Sequence, residues 1–556
     1  MDATPRIDRI FKVLFFSLPV LYFLLYGFWG FSDTDGCFIP ALSYRVASGQ
    51  IPHQDFFYVR PAVSPVLHAL EMLLLPDHLV MIVMRLVAYL MMGVSIWWGL
   101  ESLKSQFDFK ALGVSPWLLG IITFIYAMHN FPAMPWHTLD GIFFATLGFY
   151  LLTRGPRPAY LAAGMVAMVL SAASKQPFAV SPVVGVALLF FLYPVRDVLK
   201  GLAWTAGAGV VALGAFLLWD SEGTVRTAML GQIMGSSKPE DLKFGAIGTY
   251  IRPTLTWVMP VAGLWVVAKY ALRFRYTGPM IALVLLGGIS AWAAFQAYSI
   301  HVGGHFIAPR FGFYHALMAG AFMVIGLQFV QRKDIKAMAL LGAMGLVNWA
   351  SGVSWGYAFP VLFCLPSLMA IVYFIGRVNE FKVPQWAYVA VAVVAFGAFF
   401  AAQRYPYGEF HRSLLTKNLG EVYPRLSYIY SSQTAYDKLL ALKDLHARYG
   451  DNFAVLPSLP LAHYLTNTQP TIQLDWEHDG ELMFDVGTQA ILQRMSAQQT
   501  VVFVEVDLKA EAFLPPGNYK CSPLEHVLTH WHKLEENRFF EVWAEAAQDS
   551  VQVLTP

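Results

Sequence analysis

Three aspartates stand close together near the start of this 556-residue chain: Asp33 and Asp35, separated by Thr34, and Asp55, set between Gln54 and the run Phe56-Phe57-Tyr58. They fall in the stretch 31–65, FSDTDGCFIPALSYRVASGQIPHQDFFYVRPAVSP, which follows the first apolar segment. A carboxylate held beside apolar surface is partly stripped of water. Its proton affinity rises, and it becomes suited to taking a proton from a hydroxyl. Asp33, Asp35 and Asp55 are therefore candidates for a general base. The plain alternative is that Asp35 caps a helix over 36–48 and that Asp33 faces water.

Arg60, Lys175, Arg252 and Arg310 are the candidate partners, each at the expected outer end of an apolar segment. Any one of them alone fits a side chain reaching a lipid headgroup. Four on one face, opposite carboxylates, point to an anionic ligand, since Lys and Arg hold phosphate through charge-assisted bonds. Lys175, in SAASKQP, is the most telling. His53, Tyr58 and His137 are candidates for lining the same cavity. So are His301 and His305, in SIHVGGHFIAPRFGFYH. The two last have i, i+4 spacing, but Gly303 and Gly304 lie between them and the glutamate of the zinc-protease motif is missing. They read as polar loop contacts, and no metal site or cofactor is expected, although a divalent metal stays open. Arg85, inside an apolar segment, is expected to be in a structural ion pair. The chain carries no P-loop, no G-x-S-x-G and no glycine-rich nucleotide loop. An activated group would therefore arrive on a membrane lipid.

These side chains must be positioned by apolar helices. The chain is 57% hydrophobic and 13% charged, against about 25% charged in soluble domains, and its mean hydropathy is +0.51. About thirteen spanning helices are expected, at 11–31, 79–100, 113–129, 137–153, 158–174, 178–194, 201–219, 254–272, 277–298, 313–330, 335–352, 357–376 and 385–402. Alternate loops collect the basic residues, which places the N-terminus in the cytoplasm and residues 403–556 outside. The segment 62–76 spans only ~22 Å as a helix and is expected to lie at the outer interface, as is the 36–48 helix with its Ile39, Leu42 and Val46 stripe. All fifteen histidines fall on the outer side or in the tail. The tail reads as a small α/β domain, with a helix over 434–449 and strands at 453–456 and 500–506. A net charge of +2 gives no case for nucleic acid. Three scattered cysteines, Cys37, Cys364 and Cys521, give none for a disulfide framework.

The stretch resembles the first outer loop of C-type membrane glycosyltransferases, the class that includes protein O-mannosyltransferases and lipid A aminoarabinose transferases. The matching residues are Asp33-Thr34-Asp35, a helix, Gly49-Gln50-Ile51-Pro52-His53-Gln54-Asp55-Phe56, then Arg60-Pro61. Lys175 before Gln176-Pro177 is similar to the family's basic residue at the outer end of a middle helix. Two departures stand out: Thr34 splits the acidic pair, and Ala62 replaces a second proline. The resemblance implies a GT-C-like transmembrane catalytic domain over 1–402, its first outer loop at 31–76, and an extracytoplasmic α/β domain over 403–556. It implies transfer of a sugar from a polyprenyl-phosphate donor to an envelope glycan, lipid or protein acceptor, with inversion and without metal. Asp35 or Asp33 would be the base, and Lys175, Arg60 and Arg310 would face the departing phosphate. The site would open on the outer face of the inner, cytoplasmic membrane. Two other classes compete: a transporter or flippase for an anionic or lipid-linked envelope precursor, and a non-catalytic assembly or receptor protein. The absence of an internal repeat and the clustering of charge on one face count against transport.

Overall fold

The computed structural model describes residues 5–128, 134–235, 259, 312–352, 362–378, 383–402, 406, 409, 411–477, 485–507 and 523–545. These are mostly helical. Three helices, Arg6–Tyr26, Asp77–Lys104 and Val195–Trp219, are long and apolar enough to cross a membrane, and several shorter apolar helices accompany them. The expected spans 254–272 and 277–298, and the start of 357–376, lie outside the described residues.

Helix α1 (Pro5–Tyr26) packs on α4 (Asp77–Lys104), between which lie α2 (Asp35–Ala47) and α3 (Val63–Leu74). After α5 (Phe109–Leu112) come α6 (Pro116–Met128), α7 (His137–Leu152), α8 (Pro158–Ala172), α9 (Val180–Leu192), α10 (Val195–Trp219) and α11 (Thr224–Gly235). Beyond the undescribed stretch stand α12 (Gly312–Val330), α13 (Ile335–Gly352), α14 (Leu365–Tyr373) and α15 (Gln385–Ala402). Small residues let these helices approach closely. A Cβ on Gly93 of α4 would sit 2.7 Å from Pro19 of α1, and one on Gly164 of α8 would sit 2.7 Å from Leu152 of α7.

Arg85 of α4 is half-buried and makes no ion pair among the described residues. It donates to the carbonyls of Gly27 (2.9 Å) and Gly30 (2.6 Å), just past the end of α1. The Gly27 carbonyl stands at the negative end of α1, where a guanidinium is well placed.

Helix α3 has 12 residues, ~18 Å, too short to cross a ~30 Å hydrocarbon core. It buries Ser64, Pro65, His68 and Ala69 and exposes Val66, Leu70, Leu73 and Leu74. Helix α2 differs from the interfacial helix expected from its stripe. Ile39 and Leu42 pack with Phe38, Phe56 and Tyr58, and Trp476 closes over them. Cys37 and Ala41, on another face, join Val80, Met81 and Met84 of α4. The stripe therefore faces protein.

What covers α2 is the C-terminal part of the chain. It opens with the antiparallel pair β1 (Lys417–Asn418) and β2 (Tyr430–Ser431), then α16 (Gln433–Tyr449) and β3 (Phe453–Leu456). Next are α17 (Ala462–Thr466), α18 (Asp485–Gln498), β4 (Val501–Glu505), α19 (Pro523–His530), β5 (His532–Glu536) and β6 (Phe540–Ala544). The four later strands form one sheet in the order β3-β4-β6-β5, with β3 and β4 parallel and the other neighbours antiparallel. Strand side chains alternate in direction, and both faces are used. Phe453, Val455, Val501 and Phe503 pack with Leu439, Leu442 and Leu445 of α16, while Ala454, Leu456, Val502 and Val504 pack with Ile491, Met495, Leu524 and Val527. The first of these clusters also contains Phe31, Cys37, Ala41, Val80, Met81 and Met84. The sheet and the N-terminal helices thus share one core.

Candidate active site

Asp35 is the first residue of α2, where the positive end of the helix favours a carboxylate. It is not the cap expected as the alternative. Thr34 holds that position without a side-chain cap bond, and Ser32 Oγ accepts the Gly36 N–H at 3.3 Å. Lys175 stands in extended backbone between α8 and a short 3-10 turn, Gln176–Ala179. Its side chain is 1% exposed, and Nζ donates to Thr138 Oγ1 at 2.8 Å. Thr138 was no candidate in the sequence, because a threonine in an apolar helix carries no sign of its partner. Gln176 donates from its side chain to the Val59 carbonyl, and Val63 N–H to the Ala173 carbonyl at 3.3 Å. These bonds fix the 174–179 segment against the 58–63 loop.

Arg60, half-buried, lies with its guanidinium 5.9 Å from the ring centres of both Phe38 and Tyr58. It is close enough to Lys175 for the two like charges to act on each other, and Asp35 acts on Lys175 with the opposite sign. Burial most of all, then Arg60, push the Lys175 amine well below its ordinary range, and Asp35 opposes them. The charges of Lys175 and Arg60 also reach His137, whose ring stacks on Trp136 and whose buried Nδ1 has no hydrogen-bond partner among the described residues. Residues from four places in the chain, Asp35, Arg60, His137 and Lys175, therefore form one electrostatic cluster.

The remaining candidates are engaged differently. Asp33 is bonded to Lys438 of α16, Nζ to Oδ2 2.5 Å, and the same Nζ touches Glu505 at the end of β4. Asp55 accepts the Ile51 N–H at 2.7 Å and closes its own turn. His53 has a positive φ of 69° and its Nδ1 lies 3.0 Å from Gln232 Oε1 of α11. Gln232 also donates to the His53 carbonyl at 2.8 Å and accepts the Tyr58 N–H at 3.1 Å. Tyr58 is fully buried, 6.2 Å from Phe38 and 6.3 Å from His53 between ring centres. His53, Tyr58 and Asp55 thus help to shape the 51–58 loop. Arg252, His301, His305 and Arg310 lie outside the described residues.

Two further buried polar groupings are present among the described residues. His68 of α3 bridges Glu71, 2.9 Å from Nδ1, and Asp140 of α7, 3.2 Å from Nε2. Burial opposes the charged ring, but Asp140 and Glu71 outweigh it and carry His68 up to about 10. Arg45 of α2 makes a two-pronged bond to Asp475, 2.6 and 2.9 Å, and donates to the Ile472 carbonyl at 2.7 Å. Among the described residues no group of three or more His, Cys, Asp or Glu could hold a metal ion. A described cavity of about 580 Å³ lies at the other end of α4, lined by Lys104 to Lys110 and Pro116, away from all of these groups.

Chemically, two cations beside one carboxylate and a histidine suit an anionic ligand that meets a group losing a proton. The chain is mostly helical, with three helices long and apolar enough to cross a membrane. No family model matches it, and no curated protein matches it.

Proposed function

We propose that the chain is a polyprenyl-phosphate-sugar-dependent glycosyltransferase of the C-type membrane class, acting on an envelope glycan, lipid or protein acceptor. The observation that carries the reading is that Asp35 and Arg60 both lie within electrostatic reach of the buried Lys175. Asp35 takes the proton of the acceptor hydroxyl as its oxygen attacks the anomeric carbon from the face opposite the leaving phosphate, inverting it. The bond from that carbon to the phosphate oxygen breaks, and Lys175 and Arg60 stabilise the charge that grows there. Asp33 is the weaker candidate for base, because an ammonium already occupies one of its oxygens.

On this reading about thirteen helices span the inner membrane, with residues 1–402 as the catalytic domain. The N-terminus lies in the cytoplasm, and residues 403–556 form an extracytoplasmic α/β domain. Supporting that orientation, Lys12 and Lys104 both lie over the Trp117 ring, and Arg377 approaches Asp334 at 3.9 Å, away from the cluster. Basic residues gather on the cytoplasmic side of membrane proteins.

The test is sugar transfer from a polyprenyl-phosphate donor by full-length protein in nanodiscs. Asp35→Asn lowers kcat by at least about 100-fold, as loss of a general base does, while Asp33→Asn lowers it by only about tenfold, as a displaced but intact base does. Full transfer by Asp35→Asn would remove the base assignment. Unchanged envelope glycans in cells lacking the protein would remove the function.

A further inference from the structure

Lys438 lies on α16, more than 400 positions from the acidic loop, yet it touches Asp33 and Glu505 together. Glu505 is 1% exposed, and its other oxygen accepts the Ser458 N–H at 2.9 Å. Lys438 is itself mostly buried. Burial opposes its charge, but Asp33 and Glu505 outweigh that and hold the ammonium above its ordinary range. The loop is also tied to the C-terminal part by backbone: Gly30 N–H donates to the Tyr430 carbonyl at 2.9 Å, and Tyr430 N–H to the Phe28 carbonyl at 2.7 Å. Only Thr34 separates Asp33 from Asp35, so whatever fixes the first sets the entry of α2 and the direction of the second.

We infer that Lys438 is a positioning residue: its ammonium, anchored by Glu505, pins Asp33 and so holds the start of α2 with Asp35 toward Lys175 and Arg60. The C-terminal sheet thereby becomes part of the site without touching substrate. The clamp divides the work of the acidic pair. Asp33 is committed to the sheet, and Asp35 is left for the cluster. What Asp35 does there rests on the transferase reading. The clamp itself does not.

The experiment uses the full chain in nanodiscs and two independent readouts. Hydrogen exchange of the 31–47 backbone in Lys438→Met rises by about tenfold over wild type, the size expected for losing one charge-assisted bond, while α8 keeps its protection. Lys438→Arg restores the wild-type rate. Asp33→Asn, which leaves the Lys438–Glu505 contact in place, loosens the same backbone and serves if Lys438→Met exchanges faster throughout. In sugar transfer, Lys438→Met lowers kcat about tenfold with the donor KM within about twofold, because binding groups stay while the base is misplaced. Exchange of 31–47 within about twofold of wild type in both Lys438→Met and Asp33→Asn would overturn the clamp. Wild-type protein that transfers no sugar would defeat the transferase reading, and the exchange result would still decide the clamp.

Discussion

Lys175 concentrates the chemistry of this molecule in one side chain. A lysine that is 1% exposed and close to an arginine is held against its own preference. Its ionised form costs stability at low pH, and that cost is relieved as pH rises from the lowered pKa up to the ordinary 10.5 of the unfolded chain. On the proposed reading, a phosphate entering the cluster adds negative charge and restores the proton. Lys175→Met is therefore expected to raise the melting temperature and to weaken binding of a polyprenyl phosphate by about ten- to 100-fold, the usual effect of removing a charge-assisted contact. The two readouts, thermal unfolding and lipid-phosphate binding, should move in opposite directions. In wild type, binding weakens toward alkaline pH at a value well below the ordinary 10.5 of lysine. Lys175→Arg, which keeps its charge throughout, moves that alkaline fall upward. Lys175 and Asp35 were legible in the sequence because charge at the end of an apolar segment is conspicuous. Thr138, Lys438 and Glu505 were not, since a hydroxyl in a helix and charges in a polar tail look ordinary until the fold supplies their partners.

Helix α2 is the element on which the site turns. Its span was legible almost to the residue, because Gly49, at φ +88°, stops it as a glycine should. Its surroundings were not. A stripe at helical spacing says that one face seeks apolar contact, but not whether lipid or protein provides it. Here protein does, from both sides, and Arg45 is locked to Asp475 with 1% and 3% of the two side chains exposed. Removing one partner of such a pair strands the other, at a cost of about 3–5 kcal/mol. Arg45→Met is expected to loosen the C-terminal sheet by that order, read as faster proteolysis between α15 and α16 and a lower melting temperature. The double variant Arg45→Met, Asp475→Leu should regain most of the loss, because it leaves no unpaired buried charge. No regain in the double variant would mean that the contact matters for packing of the arginine stem and not for its charge.

At the scale of the whole molecule, the sheet and the helices cannot be treated as separate bodies, because the apolar cluster of the sheet takes in Val80, Met81 and Met84 of α4. The sequence marked the change of composition near residue 403 and invited a boundary there. It could not reveal that the two parts bury one core, since such contacts join residues hundreds of positions apart. That joint core also gives α4 two distinguishable ends. The C-terminal part grips the start of α4, where Arg425 bonds to Asp77 at 2.6 Å, whereas Lys104 closes the other end of the same 28-residue helix. A straight helix of that length covers ~42 Å, enough to place its two ends on opposite sides of a ~30 Å core. Asp451, exposed beyond α16, and Ser105, exposed just past α4, should then face different compartments. Both native cysteines among the described residues, Cys37 and Cys364, are buried. With Cys521 replaced by serine, an impermeant maleimide is expected to label Asp451→Cys in intact spheroplasts and Ser105→Cys only after the membrane is opened. Labelling of both from one side would contradict a membrane-crossing α4, and the reverse pattern would turn the Asp35–Lys175 cluster toward the cytoplasm, where soluble nucleotide sugars would replace a lipid donor as the chemistry to test.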